Sequence, residues 1–406
     1  MKGTPSGTHY RRHAVRAGIG SVAAALTLAA AGGEAAADKF EVTTTAAGGK
    51  GSFTDAVKQS REGSGGDQIS FKRSLRGQID LPEKVTLKGK VVITGDDYGD
   101  PESKRFGRVV LRGHRGGSEI RVTPEAEGVL RDLYLDGTVV KASRSGDLTV
   151  RDSFLRGQRT VDETGISVSQ RLRLLRTTVE GFDRGISTGA SARIDRSTIA
   201  DNVGGGGVFV HGGTADVSNS TISGNVVSTQ GPFSVSTGGG LNVGYGASAR
   251  VTNSTIVRNQ AISNTSQGGG LFGNVEVLNS TITANRAVTG AGVAGAPGED
   301  ADVGNSIVYG NTGFDGGAMD CATPFTSSGG NLIGSPGDCL LDPTDVSGVD
   351  PLLSPLGDYG GPTQTMALGQ GSPAIGLAVK STATKFDQRG VLRDDDPDAG
   401  ATERRG

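Results

Sequence analysis

Between residues 130 and 311 apolar and polar positions recur in one fixed order eight times, most plainly as Val217-Ser-Asn-Ser-Thr-Ile222-Ser-Gly-Asn225, Val251-Thr-Asn-Ser-Thr-Ile256-Val-Arg-Asn259 and Val277-Leu-Asn-Ser-Thr-Ile282-Thr-Ala-Asn285. The first position is always apolar: Leu130, Val150, Leu174, Ile194, Val217, Val251, Val277 and Val303. Five residues on stands a second apolar column of Leu135, Leu155, Val179, Ile199, Ile222, Ile256, Ile282 and Val308. Between them a hydroxyl recurs at Ser153, Thr177, Ser197, Ser220, Ser254, Ser280 and Ser306, with Leu133 in its place in the first copy. The phrase ends on Asn202, Asn225, Asn259, Asn285 and Asn311, and in the earlier copies on Thr138, Gln158 and Phe182.

The copies begin 20, 24, 20, 23, 34, 26 and 26 residues apart, too close for a repeat of two helices and matched to one turn of a β-coil. β-branched residues crowd each copy, which favours strands. Second short strands led by glycine are expected at Gly207–Val210, Gly240–Val243 and Gly270–Phe272. Stacked coils pair their strands in parallel about 4.8 Å apart, which aligns like residues and lets the asparagines hydrogen-bond as a structural ladder. The predicted fold is all-β: a right-handed parallel β-helix, a solenoid with a short N-terminal capping helix and an irregular C-terminal cap. Such a stack needs covered ends, because bare strands invite end-to-end association. Ser52-Phe53-Thr54-Asp55 has the spacing of a capping box and predicts the covering helix. The alternating segments Gln68–Phe71, Gly77–Leu81, Val85–Leu87 and Val91–Ile93 supply the first rungs.

Two strings of short motifs then become specific. Gly51-Ser-Phe-Thr-Asp-Ala-Val57 followed by Gly66-Asp-Gln-Ile-Ser-Phe71 resembles the opening of bacterial secreted β-helix proteins. Gly329–Gly334, Asp350–Leu353, Gly360–Thr365, Gly371–Ile375 and Asp387-Gln-Arg-Gly390, in that order, resemble the choice-of-anchor Q domain of bacterial surface proteins. That resemblance implies cell-surface placement and brings no shared catalytic residues. Its closing acidic phrase is matched loosely by Asp398-Ala-Gly-Ala-Thr-Glu403, after which no anchor is expected. The organisation expected is a signal peptide over 1–37, an N-terminal cap with first rungs over 38–95, coils over 96–313 and the anchor-like region over 314–406.

Composition agrees. Glycine at 68 of 406 residues, no tryptophan and 4% aromatics would starve a globular core but suit a thin column of Val, Ile, Leu and Ser. Arg11, Arg12 and Arg16 precede an apolar stretch from Ala17 to Ala31, and Ala35-Ala36-Ala37 offers cleavage after Ala37. Export is therefore expected, into the surroundings or onto the cell surface. Loss of this leader takes the net charge from −2 to about −5, which gives no electrostatic reason for a nucleic-acid partner. No later apolar run is long enough for a transmembrane span. The two cysteines, Cys321 and Cys339, flank a loop rich in Gly, Pro and Ser, and in an exported protein read as one disulfide.

Candidate chemistry is sparse. The residue two after each first apolar position runs Asp132, Asp152, Arg176, Arg196, Asn219, Asn253, Asn279, Asn305, with Arg131, Arg151, Asp136 and Arg156 beside it. A polysaccharide lyase of the pectate-lyase-like type needs a cation to acidify the sugar C5 proton and a base to remove it, so Asp132 and Asp152 could hold Ca²⁺ while Arg176 acts on an acidic sugar. The plainer reading is that Asp152 and Arg176 pair across neighbouring rungs. His114 and His211 lie in different coils, and no Gly-x-Ser-x-Gly elbow supports a hydrolase triad. Asp394–Asp398 lacks the ligand spacing of a calcium loop and reads as a solvated tail. Gly204–Gly207 and Gly238–Gly240 read as tight corners, not phosphate cradles. The expected function is that of an exported, monomeric, non-enzymatic scaffold without metal or cofactor, meeting a glycan or protein of the envelope or its surroundings. The lyase is the alternative.

Overall fold

The computed structural model describes residues 37–405 except 61–65, 96–108, 115–116, 230–234, 323 and 338. The described residues belong to one unit, 35–406. The leader read over 1–37 lies, apart from Ala37, outside the described residues.

Among the described residues, successive coils contribute strands to three long parallel sheets, of which sheets I and II have twelve strands each and sheet III has ten, and three short strands make a fourth. Following one coil, the strand Gly206–Val210 belongs to sheet III, Thr214–Ser218 to sheet I and Thr221–Ser223 to sheet II, before Leu241–Val243 returns to sheet III. Register is kept without slippage: Ile194 pairs with Val217, Val217 with Val251 and Val251 with Val277 in sheet I, while Ile222, Ile256 and Ile282 stack in sheet II. Every member of both apolar columns is buried, because strand alternation turns them inward and stacking removes their remaining surface from water. Parallel strands joined by a crossover are right-handed because of strand twist.

Two hydrogen-bonded ladders run inside this stack. Asn202 donates through Nδ2 to Asn225 Oδ1 at 2.8 Å, Asn225 to Asn259 at 2.9 Å, Asn259 to Asn285 at 3.0 Å and Asn285 to Asn311 at 2.8 Å. The last link is Asn311 to Asp320 Oδ1 at 2.8 Å. The hydroxyl column forms the second ladder, in which from Ser197 to Ser306 each Oγ accepts the backbone N–H of its counterpart one coil earlier, as in Ser220 to Ser254 and Ser254 to Ser280, both at 3.2 Å. It ends where the Ser306 N–H donates to Asn331 Oδ1 and the Asn331 N–H to Asp345 Oδ1. The glycines leading the sheet III strands have a definite reason. A Cβ on Gly240 or Gly270 would sit 3.0 Å from the amide nitrogen of Asn259 or Asn285, and closer still to the backbone carbonyl of the next coil, so the stack leaves no room for a side chain there.

The N-terminal end is covered by helix α1, Phe53–Ser60, which buries Phe53, Ala56, Val57 and Ser60 on one face. Ser52 Oγ accepts from the Asp55 N–H, and Phe53 stacks on Phe71 with centroids 6.0 Å apart. Strand Lys39–Val42 precedes the helix and pairs with Asp67–Phe71, so the stack opens with a strand absent from the sequence reading. Its last strand among the described residues, Val346–Ser347, lies well past residue 313. Among the described residues no helix is long and apolar enough to cross a membrane.

Three expectations need correction. Cys321 and Cys339 form the expected disulfide, but the segment they flank is not only loop: Cys321 with Ala322 pairs to Val293–Ala294 in sheet III, and Phe325–Ser327 and Leu332–Ile333 add strands to sheets I and II. The C-terminal region does more than cap the end, because its residues dock along the flank of earlier coils. Thr363 Oγ1 donates to Asn219 O, Asn253 Nδ2 to Phe386 O, and Val379 N to Asn305 Oδ1. Thr255, an outward neighbour of the Ile256 column, is therefore fully buried, its Oγ1 donating to Gln388 Oε1 at 2.7 Å. Finally, the acidic run is solvated only in part: Asp394, Asp395 and Asp396 are exposed, whereas Asp398 is buried.

Candidate functional site

The charged column chosen from the sequence occupies the corner between sheets I and II. Asp132, Asp152, Arg176, Arg196, Asn219, Asn253, Asn279 and Asn305 all have φ between 45° and 57°. A left-handed conformation favours Asn and Asp among residues with a side chain, since their short polar groups bond locally. Asparagine in the later copies thus suits the backbone, while Arg176 and Arg196 hold the same conformation against their preference.

The change from charged residues to asparagine marks where the C-terminal segment begins to cover the corner. Cover starts at Asn219, whose carbonyl accepts from Thr363 Oγ1 at 3.1 Å. Further along, Asn253 Oδ1 accepts from Thr384 Oγ1 at 2.8 Å and Asn279 Oδ1 from the Thr384 N–H at 2.9 Å. At Asn305 the backbone carbonyl accepts the Gly400 N–H at 2.9 Å, a contact that needs no side chain from either residue.

On the earlier coils the corner holds charges instead. There Arg176 grips Asp152 with both arms, Nε to Oδ1 at 2.5 Å and Nη2 to Oδ2 at 2.8 Å. Both oxygens of Asp152 are thereby occupied, and Asp132 stands at the same corner one coil before it. Next along, Asp195 accepts from Ser218 Oγ and Asn219 Nδ2, and Arg196 is exposed. Among the described residues no three His, Cys, Asp or Glu side chains form a set that could hold a metal ion.

Glu180, Asp320, Asp398 and Glu403, whose carboxyls burial raises, have structural surroundings. Burial pushes the Glu180 carboxyl up against the opposing pull of Arg156, which lies 3.8 Å away. Burial likewise raises Asp320, the acceptor that closes the asparagine ladder. In the docked C-terminal segment Arg393 and Glu403 form a buried ion pair at 3.1 Å. Arg393 also donates to the carbonyls of Asp398 and Gly400, and Glu403 accepts the N–H groups of Asp394 and Asp398. Burial raises both Asp398 and Glu403, outweighing the N–H groups of Arg404 and Gly376 on Asp398 and those of Asp398 and Asp394 on Glu403. Gln388 reaches into the stack, donating to Ser220 O and Thr363 Oγ1. The sequence signal for this docking was the ordered string of glycine and acidic motifs, which carries no indication of which coils it meets.

At another corner, between sheets III and I, lies an open groove of about 510 Å³ lined by Glu125, Glu127, Ser145, Asp147, Gln170, Arg171 and Ser191 among others. Arg171 pairs with Asp147 at 3.1 Å across it.

Residues 140–330 match the family model for the right-handed β-helix region. No curated protein matches the chain. Among solved structures, pectate lyase Pel9A is similar with a TM-score of 0.55 and 14% identity, over 91% of this chain and 98% of that one. The alginate lyase AlyGC of family PL6 aligns with a TM-score of 0.35 and 11% identity, over 89% of this chain and 57% of that one. At such identities the likeness is one of fold, which does not fix activity. The chain is a right-handed parallel β-helix protein.

Proposed function

We propose that the protein is an exported, non-enzymatic scaffold that presents the side of its stack to an extended glycan or protein outside the cell. The observation that carries this reading is the closed pair of Arg176 and Asp152, in which the guanidinium satisfies both carboxylate oxygens. A guanidinium held on both oxygens competes with any proton or cation for that carboxylate. The disulfide supports export, because such bonds persist in oxidising compartments. A stack whose outward positions repeat at a fixed rise suits a long partner better than a small substrate.

The test combines binding and turnover. Purified protein is screened against glycan and envelope-protein arrays, and its action on polyuronates and neutral glycans is followed by unsaturated-product absorbance and reducing-end release, with and without Ca²⁺. Binding without product formation supports the scaffold. Turnover abolished by Asp152→Ala or Arg176→Ala in a folded variant overturns it in favour of the lyase.

A further inference from the structure

On the outer face of sheet I, strands Glu127–Arg131, Asp147–Arg151, Arg171–Leu175 and Ser191–Asp195 lie side by side. Arg131 is in register with Arg151, and Arg173 with Arg193. Arg151 pairs with Leu175, two residues beyond Arg173, so the four arginines form two like-charged neighbours offset by one step across the sheet. Like charges directly opposite one another on a sheet are destabilising. Elsewhere the face avoids this arrangement. Lys90 pairs with Glu127 at 3.1 Å, Arg171 with Asp147, and Arg250 with Glu276 at 2.6 Å, while Asp216 separates Arg193 from Arg250. Arg131 donates through Nε to Thr94 Oγ1, but none of the four has a salt-bridge partner among the described residues. Arg173 and Arg193 are exposed, and Arg131 and Arg151 are half-buried.

We propose that this diagonal of arginines binds an acidic polysaccharide whose carboxylates lie on Arg131, Arg151, Arg173 and Arg193. The inference rests on the scaffold reading and names its ligand. A guanidinium matches a carboxylate through two parallel hydrogen bonds, so each coil offers one fitted site at intervals of about 4.8 Å along the stack. A polymer with one carboxylate per sugar can engage successive coils. The four strands carry no aromatic side chain on which a base could stack, which favours the glycan over a single-stranded nucleic acid.

The experiment titrates the full chain with polygalacturonate, with its methyl-esterified form of equal length, and with single-stranded DNA, by calorimetry at about 0.05 M and about 0.5 M salt. Polygalacturonate is expected to bind at least about tenfold more tightly than the ester and to weaken with salt. The Arg151→Gln/Arg173→Gln variant should lose at least about tenfold while its circular dichroism is unchanged, and Arg250→Gln should stay within about twofold. Equal affinity for acid and ester, an unaffected double variant, or DNA bound as tightly as the polyuronate would each overturn the proposal. Retained binding to a neutral glycan or a protein in those cases leaves the scaffold reading intact. Turnover of the polymer with arginine-dependent affinity removes the scaffold reading and keeps this site.

Discussion

Replacing Asn259 by Ala tests the interior ladder at its middle. Asn259 Oδ1 accepts from the backbone N–H of Asn225 at 3.0 Å and from its Nδ2 at 2.9 Å, while Asn259 Nδ2 donates to Asn285 Oδ1 at 3.0 Å and to Ile222 O at 2.9 Å. Alanine removes all four. The Asn225 N–H then lies in a fully buried site without this acceptor, a loss of about 1–3 kcal/mol. The side-chain bonds add about 1 kcal/mol each, partly offset because Asn225 Nδ2 keeps Ile199 O and Asn285 Oδ1 keeps the backbone N–H of residue 259. The expected destabilisation is about 4 kcal/mol by chemical denaturation, against less than about 1 kcal/mol for the exposed-pair control Arg250→Gln. Since Asn225 and Asn259 share bonds, the Asn225→Ala/Asn259→Ala double variant should fall short of the summed single losses by about 1 kcal/mol or more. A single loss under about 1 kcal/mol, or additivity within about 0.5 kcal/mol, would refute a cooperative ladder.

Ile256→Asp should destabilise by several kcal/mol through an unpaired buried charge, and Thr255→Asp should do the same because Thr255 lies under Gln388. Thr149→Asp, on the open face of sheet I, should change the denaturant midpoint far less, and equal losses for all three would show the register to be wrong. Thiol titration of the unfolded, unreduced protein should find no free cysteine, and reduction should lower stability by roughly 3 kcal/mol for a loop of about 19 residues. Two titratable thiols would refute the bridge. Because burial raises Asp398 and Glu403 above their unfolded values, the folded state holds their protons more tightly. Their contribution is fully present below the ordinary carboxylate range and is lost as pH rises through the folded values. Docking of the C-terminal segment should therefore tighten on acidification from neutral, and hydrogen exchange that instead shows weaker protection of Gln388 and Ala401 at about pH 5 would contradict the buried network.

Much of the coil was legible because solenoid contacts are local: each Val, Ser, Ile and Asn meets its own counterpart one phrase away, so periodicity in sequence becomes a column in space. The corner was less legible. Asn219, Asn253, Asn279 and Asn305 look alike in sequence to the ladder asparagines, yet they answer to a left-handed backbone and to distant partners in the C-terminal segment, such as Thr384 on Asn253 and Asn279 and Val379 on Asn305. No pattern within a phrase carries that pairing. The acidic run misled for a related reason: Asp398 and Glu403 are charged, but their hydrogen-bonding partners fold back onto them within the same segment.

The ladders also have a direction. An asparagine amide both receives and passes on, so a column of them could be lengthened by any coil inserted in its run. Asp320 only accepts, through Oδ1 from Asn311 and through Oδ2 from the Ser335 N–H, and Asp345 likewise takes the N–H groups of Asn331 and Asp342. Each column therefore finishes on a group with nothing to hand to a following copy. An extra coil would thus continue either column only if it were spliced in ahead of these acids.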